Sequence, residues 1–268
     1  MILSLHFLSF MQRLLFYIGS CSKGNHRVKL SIIIPAYNEE DRIIHTLEAS
    51  LEFLNQQNFE SEIIVVSDGG TDHTRSVVEG FDSGSKVHIK VIEYHPNRGK
   101  GYAVRTGMLA GSGDMLLFMD ADYAVPIEEI TKAFKLIESG FDIAMGSRAI
   151  AGATVVDHQN CYRELSAKLY NLIQMAYLGI FYKDTQCGFK IFTKTAAQQL
   201  FSKQKLSSVI FDPEILWLAK KAGYRVAEFP VSWRHVGNSR IQYDSLKKSL
   251  FVFQELFRIR KLHSSKVL

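Results

Sequence analysis

The chain has 268 residues, 47% of them hydrophobic, and carries 32 Lys and Arg against 27 Asp and Glu, a net charge of +5. That length suits one generous domain, alone or with an appended piece, and the ordinary apolar content excludes a disordered or low-complexity chain. The positive balance favours an anionic partner, which leaves nucleic acid, an anionic membrane surface and a phosphorylated substrate in contention. Three distant cysteines (Cys21, Cys161, Cys187) without CxxC spacing exclude a thiolate metal site and fit a reduced, cytosolic protein.

Residues 1–27 are mostly apolar but are broken by His6, Gln12 and Arg13. The run is too short and interrupted for a spanning helix and lacks the pattern of a secretory signal. It reads either as an interfacial anchor or as the product of an unused start, with Met11 or later as the true beginning. From residue 28 the pattern is regular. Apolar, β-branched runs predict strands over 30–34, 63–66, 87–92, 115–119 and 141–145, and helical spacing predicts helices over 39–54, 73–79, 99–109 and 127–137. Strands alternating with helices define an α/β protein with a mostly parallel sheet flanked by helices on both faces. Further on, 160–181 reads as a long helix with Leu165, Leu169, Leu172 and Ala176 on one stripe and Tyr162, Tyr170, Tyr177 and Phe181 interleaved, an aromatic stripe expected in the core rather than on a membrane. A turn and strand follow over 184–192. Asp212-Pro-Glu214 then opens a helix with Asp212 as its N-cap, which argues against a catalytic role for that acid. A strand over 224–231, a basic loop over 234–240 and a basic amphipathic C-terminal helix over 246–262 complete the chain. The last helix suits either an anionic bilayer or the protein's own core.

In a parallel sheet of this kind, ligands sit outside the carboxyl ends of the strands. Every predicted strand of the first half ends there in polar, charged or glycine residues: Pro35-Ala-Tyr-Asn-Glu39, Ser67-Asp68-Gly-Gly, Asn97-Arg-Gly-Lys-Gly101, Asp120-Ala-Asp122 and Gly146-Ser-Arg148. One such end is a solvated loop; five on one edge point to a site. Asp120 and Asp122, two apart on extended chain, can turn both carboxylates to one point and hold a hard cation such as Mg²⁺ or Mn²⁺. Taken alone, that triplet also fits a capped turn. Tyr37 offers a flat face for a base and Asp68 an acceptor for a ring N–H. Gly99 and Gly101 let the backbone approach a diphosphate at a helix N-terminus. Neither GxGxxG nor a P-loop is present. The strand-end acids would repel nucleic-acid phosphates, so nucleic acid is not expected as a partner.

With these motifs in place, the segments SIIIPAYNEE, NRGKGYAVRTGML, MDAD, MGSR and DTQCGFKIF, in order over residues 28–240, resemble the inverting family 2 glycosyltransferases of GT-A (Rossmann-like) fold. Within that family the resemblance is to the polyprenyl-phosphate sugar transferases of the dolichyl-phosphate glucosyl type. It implies a GT-A domain over 28–240 and a basic helix and tail over 241–268. It also implies metal-dependent transfer of glucose from UDP-glucose to a polyprenyl (dolichyl-type) phosphate at the cytoplasmic face of a membrane. Pro35, Ala36, Tyr37, Glu39 and Asp68 would hold the uridine, Lys100 would lie along the donor, and Asp120 and Asp122 would carry Mg²⁺ or Mn²⁺ on the diphosphate. Arg148 and Arg163 would grip the acceptor phosphate and Arg240 would close over the donor; with Asp122 these three form the implied catalytic set. Two positions depart from the family pattern. Ser67 stands where relatives carry an acid, and Ala124 where mannosyl relatives carry a metal-ligating Gln. The second departure favours UDP-glucose over GDP-mannose. Other donors (UDP-GlcNAc), a soluble acceptor and a sugar-nucleotide-binding protein without turnover are the alternatives. A hydroxyl acceptor would need a base, for which Asp212 or Glu214 would serve.

Overall fold

A computed structural model describes residues 29–84, 87–156, 161–236 and 246–264, without the side chains of 161–168 and 246–249. Residues 1–27 and Arg240 lie outside the described residues, as does the side chain of Arg163.

Strand β1 (Leu30–Ala36) leads to helix α1 (Ile43–Asn55), and β2 (Ser61–Asp68) to α2 (Thr74–Glu79). Next come β3 (His88–Tyr94), α3 (Lys100–Ala110), β4 (Met115–Met119), α4 (Ile130–Glu138), entered through a 3-10 turn at Ile127–Glu129, and β5 (Ile143–Ser147). The second half holds β6 (Thr154–Val156), α5 (Cys161–Leu178), β7 (Phe189–Thr193), α6 (Lys194–Lys203), α7 (Phe211–Ala222), β8 (Val226–Pro230), β9 (Ser232–Arg234) and α8 (Leu246–Leu262). Seven strands form one sheet in the order β3-β2-β1-β4-β7-β5-β8, with β6 and β9 paired separately. All neighbours in the large sheet are parallel except β7, which runs antiparallel between β4 and β5.

The period of two along the strands splits the core into two layers. Ile33, Ile64, Val66, Leu116, Phe118 and Phe192 face the layer covered by α3, α6, α7 and α8. Ile32, Ile34, Ile63, Val65, Leu117 and Ile191 face the layer covered by α1 and α4. Both faces are covered, so the strands read as continuous apolar runs. Helix α3 lies close on the sheet through Gly107, where a Cβ would come within 2.4 Å of Ile33 Cγ2.

The structure corrects several expectations. Asp212 is not an N-cap: α7 starts two residues earlier than that reading, at Phe211 behind Ile210, and the Asp212 carboxylate turns inward to Lys190. Pro213 accordingly sits third in the helix rather than first. On α5 the leucine stripe points outward, with Leu169 and Leu172 exposed, while Tyr170, Gln174 and Leu178 are buried. The aromatic stripe follows the inward face only as far as Tyr177, for Phe181 is 72% exposed. On α8 the helical spacing predicts a stripe of Leu246, Leu250, Phe253 and Phe257, but the buried residues among those described are Glu255, Leu256 and Ile259, and Leu250 and Phe257 are exposed. Helix α6 and strands β6 and β9 had no counterpart in the sequence reading. Thr193 Oγ1 caps α6 by accepting from the Ala196 amide (3.4 Å).

Candidate active site

The carboxyl ends of β1, β2 and β4 and the start of α3 enclose a cavity of about 320 Å³. Pro35, Ala36, Tyr37, Glu39, Asp68, Lys100, Asp120 and Asp122 all line it, so eight of the eleven expected site residues converge. Arg148 does not line it. It stands at the end of β5, and its guanidinium grips Asp184 with Nε–Oδ2 at 2.6 Å and Nη2–Oδ1 at 2.9 Å. Both sides gain: burial alone would raise the Asp184 carboxyl, but the Arg148 hydrogen bonds hold it below its ordinary range.

The cavity floor is the turn after β4. The Asp122 carboxyl is raised by burial and then by the neighbouring Asp120, against the Ala124 amide, Lys100 and Arg42. Two crowded carboxylates on one turn form a natural seat for a cation. Their hard oxygens fit Mg²⁺ or Mn²⁺, and no third His, Cys, Asp or Glu joins them among the described residues. A diphosphate and water would therefore supply the remaining ligands. The turn is aimed by Tyr123, a non-glycine residue at φ 55° whose hydroxyl accepts from the Ile127 amide (3.2 Å). Asp122 Oδ1 accepts from Ala124 N (3.1 Å), so position 124 contributes its backbone to the turn and no side-chain ligand. Lys100 Nζ lies 2.5 Å from Asp120 Oδ1.

Asp68 is nearly buried and both its oxygens are engaged by the loop before α3: Oδ1 accepts from Arg98 N (2.8 Å) and Oδ2 from Gly99 N (2.9 Å). It shapes the cavity first by holding that loop, and a base N–H would share lone pairs already in use. Gly99 needs its φ of +95°, and a Cβ there would meet Ser207 O at 2.5 Å. Ser67 turns away from the cavity and donates to Glu93 Oε1 (3.1 Å), while Glu93 Oε2 pairs with Arg75. An acid at 67 would confront that carboxylate.

Sequence reasoning missed Arg42, Ala103 and Val209 in the lining. Arg42 Nε and Nη2 each donate to the Glu39 carboxylate at 2.7 Å, holding it at the cavity edge. The i, i+3 spacing of Glu39 and Arg42 was the signal available.

The fold matches that of glucosyl-3-phosphoglycerate synthase from Mycobacterium tuberculosis in complex with Mn²⁺ and UDP-glucose. The TM-score is 0.62 at 19% identity, over 87% of this chain and 79% of that one. It is a GT-A-like glycosyltransferase fold. Residues 31–201 match the model for glycosyl transferase family 2, and the chain belongs to that family of enzymes. It is 38% identical over 229 residues to the dolichyl-phosphate β-glucosyltransferase of Drosophila melanogaster, covering 80% of this chain and 69% of that one. With the dolichyl-phosphate β-glucosyltransferase of Saccharomyces cerevisiae it shares 34% identity over 247 residues, 84% of this chain and 73% of the yeast protein.

Proposed function

We propose that the enzyme transfers glucose from UDP-glucose to a dolichyl-type polyprenyl phosphate with inversion at the anomeric carbon. The observation that carries this reading is the paired carboxylates of Asp120 and Asp122 facing Lys100 across one cavity, in a chain so similar to dolichyl-phosphate glucosyltransferases. Tyr37 stacks on the uracil, and Glu39, held by Arg42, takes the ribose side. Asp120 and Asp122 would hold Mg²⁺ or Mn²⁺, which when bound would supply positive charge to the leaving diphosphate. Lys100 and the N-terminal amides of α3 add donors and a positive dipole along that diphosphate. Position 124, an alanine, offers no side-chain ligand to a cation where a glutamine would, in keeping with a glucosyl donor.

A phosphate monoester is already an anionic nucleophile at neutral pH, so the reaction needs alignment behind the anomeric carbon more than a base. Arg148 serves that end: its Nε and Nη2 edge is committed to Asp184, which fixes the plane of the fork and leaves Nη1 for the acceptor phosphate. By the family resemblance, Arg163 would join Arg148 on the acceptor phosphate and Arg240 would act on the donor diphosphate. The work takes place at a membrane surface. No helix among the described residues is long and apolar enough to span a bilayer. Leu169, Leu172, Phe181, Leu250, Phe251 and Phe257 are nevertheless exposed on α5, α8 and the segment after α5, with Arg260 over the Tyr177 ring and Lys220 near Phe181. That mix suits insertion into the interface of an anionic leaflet.

The test is incubation of the protein with labelled UDP-glucose, UDP-GlcNAc and GDP-mannose, each with dolichyl phosphate and Mg²⁺ or Mn²⁺. Organic-extractable label from UDP-glucose is expected. Label from GDP-mannose alone, or transfer only to a soluble acceptor, would overturn the reading.

A further inference from the structure

The described residues of α8 stand outside the cavity, but α8 holds a loop that does not. Val209, between α6 and α7, lines the cavity together with Gly99 and Lys100. The residues just before Val209 press on the start of α3. A Cβ at Gly99 would lie 2.5 Å from Ser207 O, and one at Gly101 would lie 2.7 Å from Ser208 O and 2.9 Å from Leu206 O. Ser207 O accepts from Tyr102 N (3.3 Å). Gln204, which is buried, donates through Nε2 to Gly101 O (2.9 Å) and to Leu206 O (2.6 Å). Both glycines at the start of α3 therefore make room for this loop. Asp68 holds Gly99 N from the other side (2.9 Å), so the turn into α3 is clamped between the two.

The loop is in turn gripped from α8 at two places. At the first, Glu214 accepts from Lys205 N and Leu206 N (both 2.8 Å) and pairs with His263 Nε2 (2.5 Å), one residue past the end of α8. Lys205 Nζ donates to Leu262 O close by (2.7 Å). At the second, Ser208 Oγ donates to Glu255 Oε2 (2.9 Å) and accepts from Ile210 N (3.3 Å). Glu255 is 4% exposed, and its Oε1 pairs with Arg258 at the rim.

Docking of α8 is a poor reason for a carboxylate at 255. Taking it out of water costs free energy, and Leu256 and Ile259 already bury apolar surface on that helix. What the carboxylate adds, and an apolar side chain would not, is a fixed place for Ser208. We propose that Glu255 is a positioning residue for the cavity: from α8 it fixes Ser208, and with it the 206–208 carbonyls that brace the start of α3, so that affinity for a nucleoside diphosphate depends on a residue of the C-terminal helix. This rests on the cavity taking a nucleoside diphosphate with a cation, and not on the identity of the sugar or the acceptor.

Three variants test it: Glu255→Leu fills the space without an acceptor, Glu255→Gln keeps an acceptor oxygen for Ser208, and Ser208→Ala removes the donor from the loop side. UDP affinity in the presence of Mn²⁺ is read by calorimetric titration, beside the thermal midpoint and the KM for dolichyl phosphate. Glu255→Leu and Ser208→Ala should each weaken UDP about fivefold, and the double variant no more than either alone. Glu255→Gln should stay within about twofold of the wild type, and the dolichyl phosphate KM within about twofold in every variant. Additive losses, or UDP affinity and acceptor KM worsening together with a lowered midpoint, overturn the proposal, because they mark general loosening. If Glu255→Leu does not fold, Ser208→Ala decides alone, and wild-type UDP affinity in that variant overturns the proposal. A wild type that binds UDP and shows this pattern in its variants, yet transfers no glucose to dolichyl phosphate, sinks the functional reading while the role of Glu255 stands.

Discussion

Gly188 leaves no room for a methyl group beside Asp120: a Cβ at 188 would lie 2.1 Å from Asp120 Oδ2 and 2.4 Å from its Cγ. The same glycine's carbonyl accepts the Asp120 amide (3.2 Å), so β7 presses backbone against the cation-binding turn. Gly188→Ala should displace the Asp120 carboxylate and weaken Mn²⁺–UDP binding at least tenfold. Overpacking of this kind costs about 1–3 kcal/mol, and the protein should remain folded. Calorimetric titration of UDP with Mn²⁺ checks it, and an unchanged affinity would contradict the crowding argument.

Asp184 orients Arg148 and does not touch the cavity. Asp184→Asn keeps the size of the side chain but removes the charge that fixes the fork. Its expected signature is a KM for dolichyl phosphate raised about tenfold, with UDP affinity within about twofold of wild type. Arg148→Lys should behave alike, since an ammonium cannot make the paired contact. A rise in the donor KM of equal size would move Arg148 to the donor side.

Glu62, on β2, accepts from Ser112 N (2.6 Å), Ser31 Oγ (2.7 Å), Ser112 Oγ (2.7 Å) and Lys90 Nζ (2.9 Å). Burial opposes its charge, but the Ser112 amide, Ser31 and Lys90 win and lower its pKa from 4.5 to about 2. Because the folded value is the lower one, the stabilisation is complete above the unfolded value and is lost as pH falls from 4.5 towards 2. Its size is at most about 3 kcal/mol at neutral pH. Glu62→Gln should therefore lower the urea midpoint at pH 7, with a gap from wild type that begins to narrow below about pH 5. A gap constant from pH 7 to pH 4 would rule out this carboxylate as the source.

Serine at Leu172, Phe181 and Leu250 together tests the membrane face. All three are more than 60% exposed, so stability should change little. Sedimentation with phosphatidylserine-containing vesicles should fall about tenfold or more, because each of these side chains loses apolar area to bury. UDP binding should be unchanged. Undiminished sedimentation would place the membrane contact elsewhere.

Local pattern carried much of this protein. The apolar runs and the polar residues that end them located β1 to β5 to within three residues at each end. α8 was legible to the residue because its helical spacing runs uninterrupted. Helix α6 was not, since Lys194 follows β7 with no intervening turn residue and two of its four apolar positions are alanine. The inward face of α5 was legible in its aromatic stripe at Tyr170 and Tyr177, but not at Phe181, because hydrophobicity alone does not say where the helix leaves the core.

The sequence by itself determined which side chains gather at the carboxyl edge of the sheet, because strand period and strand end are properties of consecutive residues. Only the tertiary structure decided what each charge answers to. Asp212, a plausible cap in sequence, is the partner of Lys190 twenty-two positions away, and Arg148 meets Asp184 across thirty-six. Ion pairs form over about 3 Å of space and leave no periodic trace along the chain. Their partners become readable only once the sheet order has brought β7 between β4 and β5.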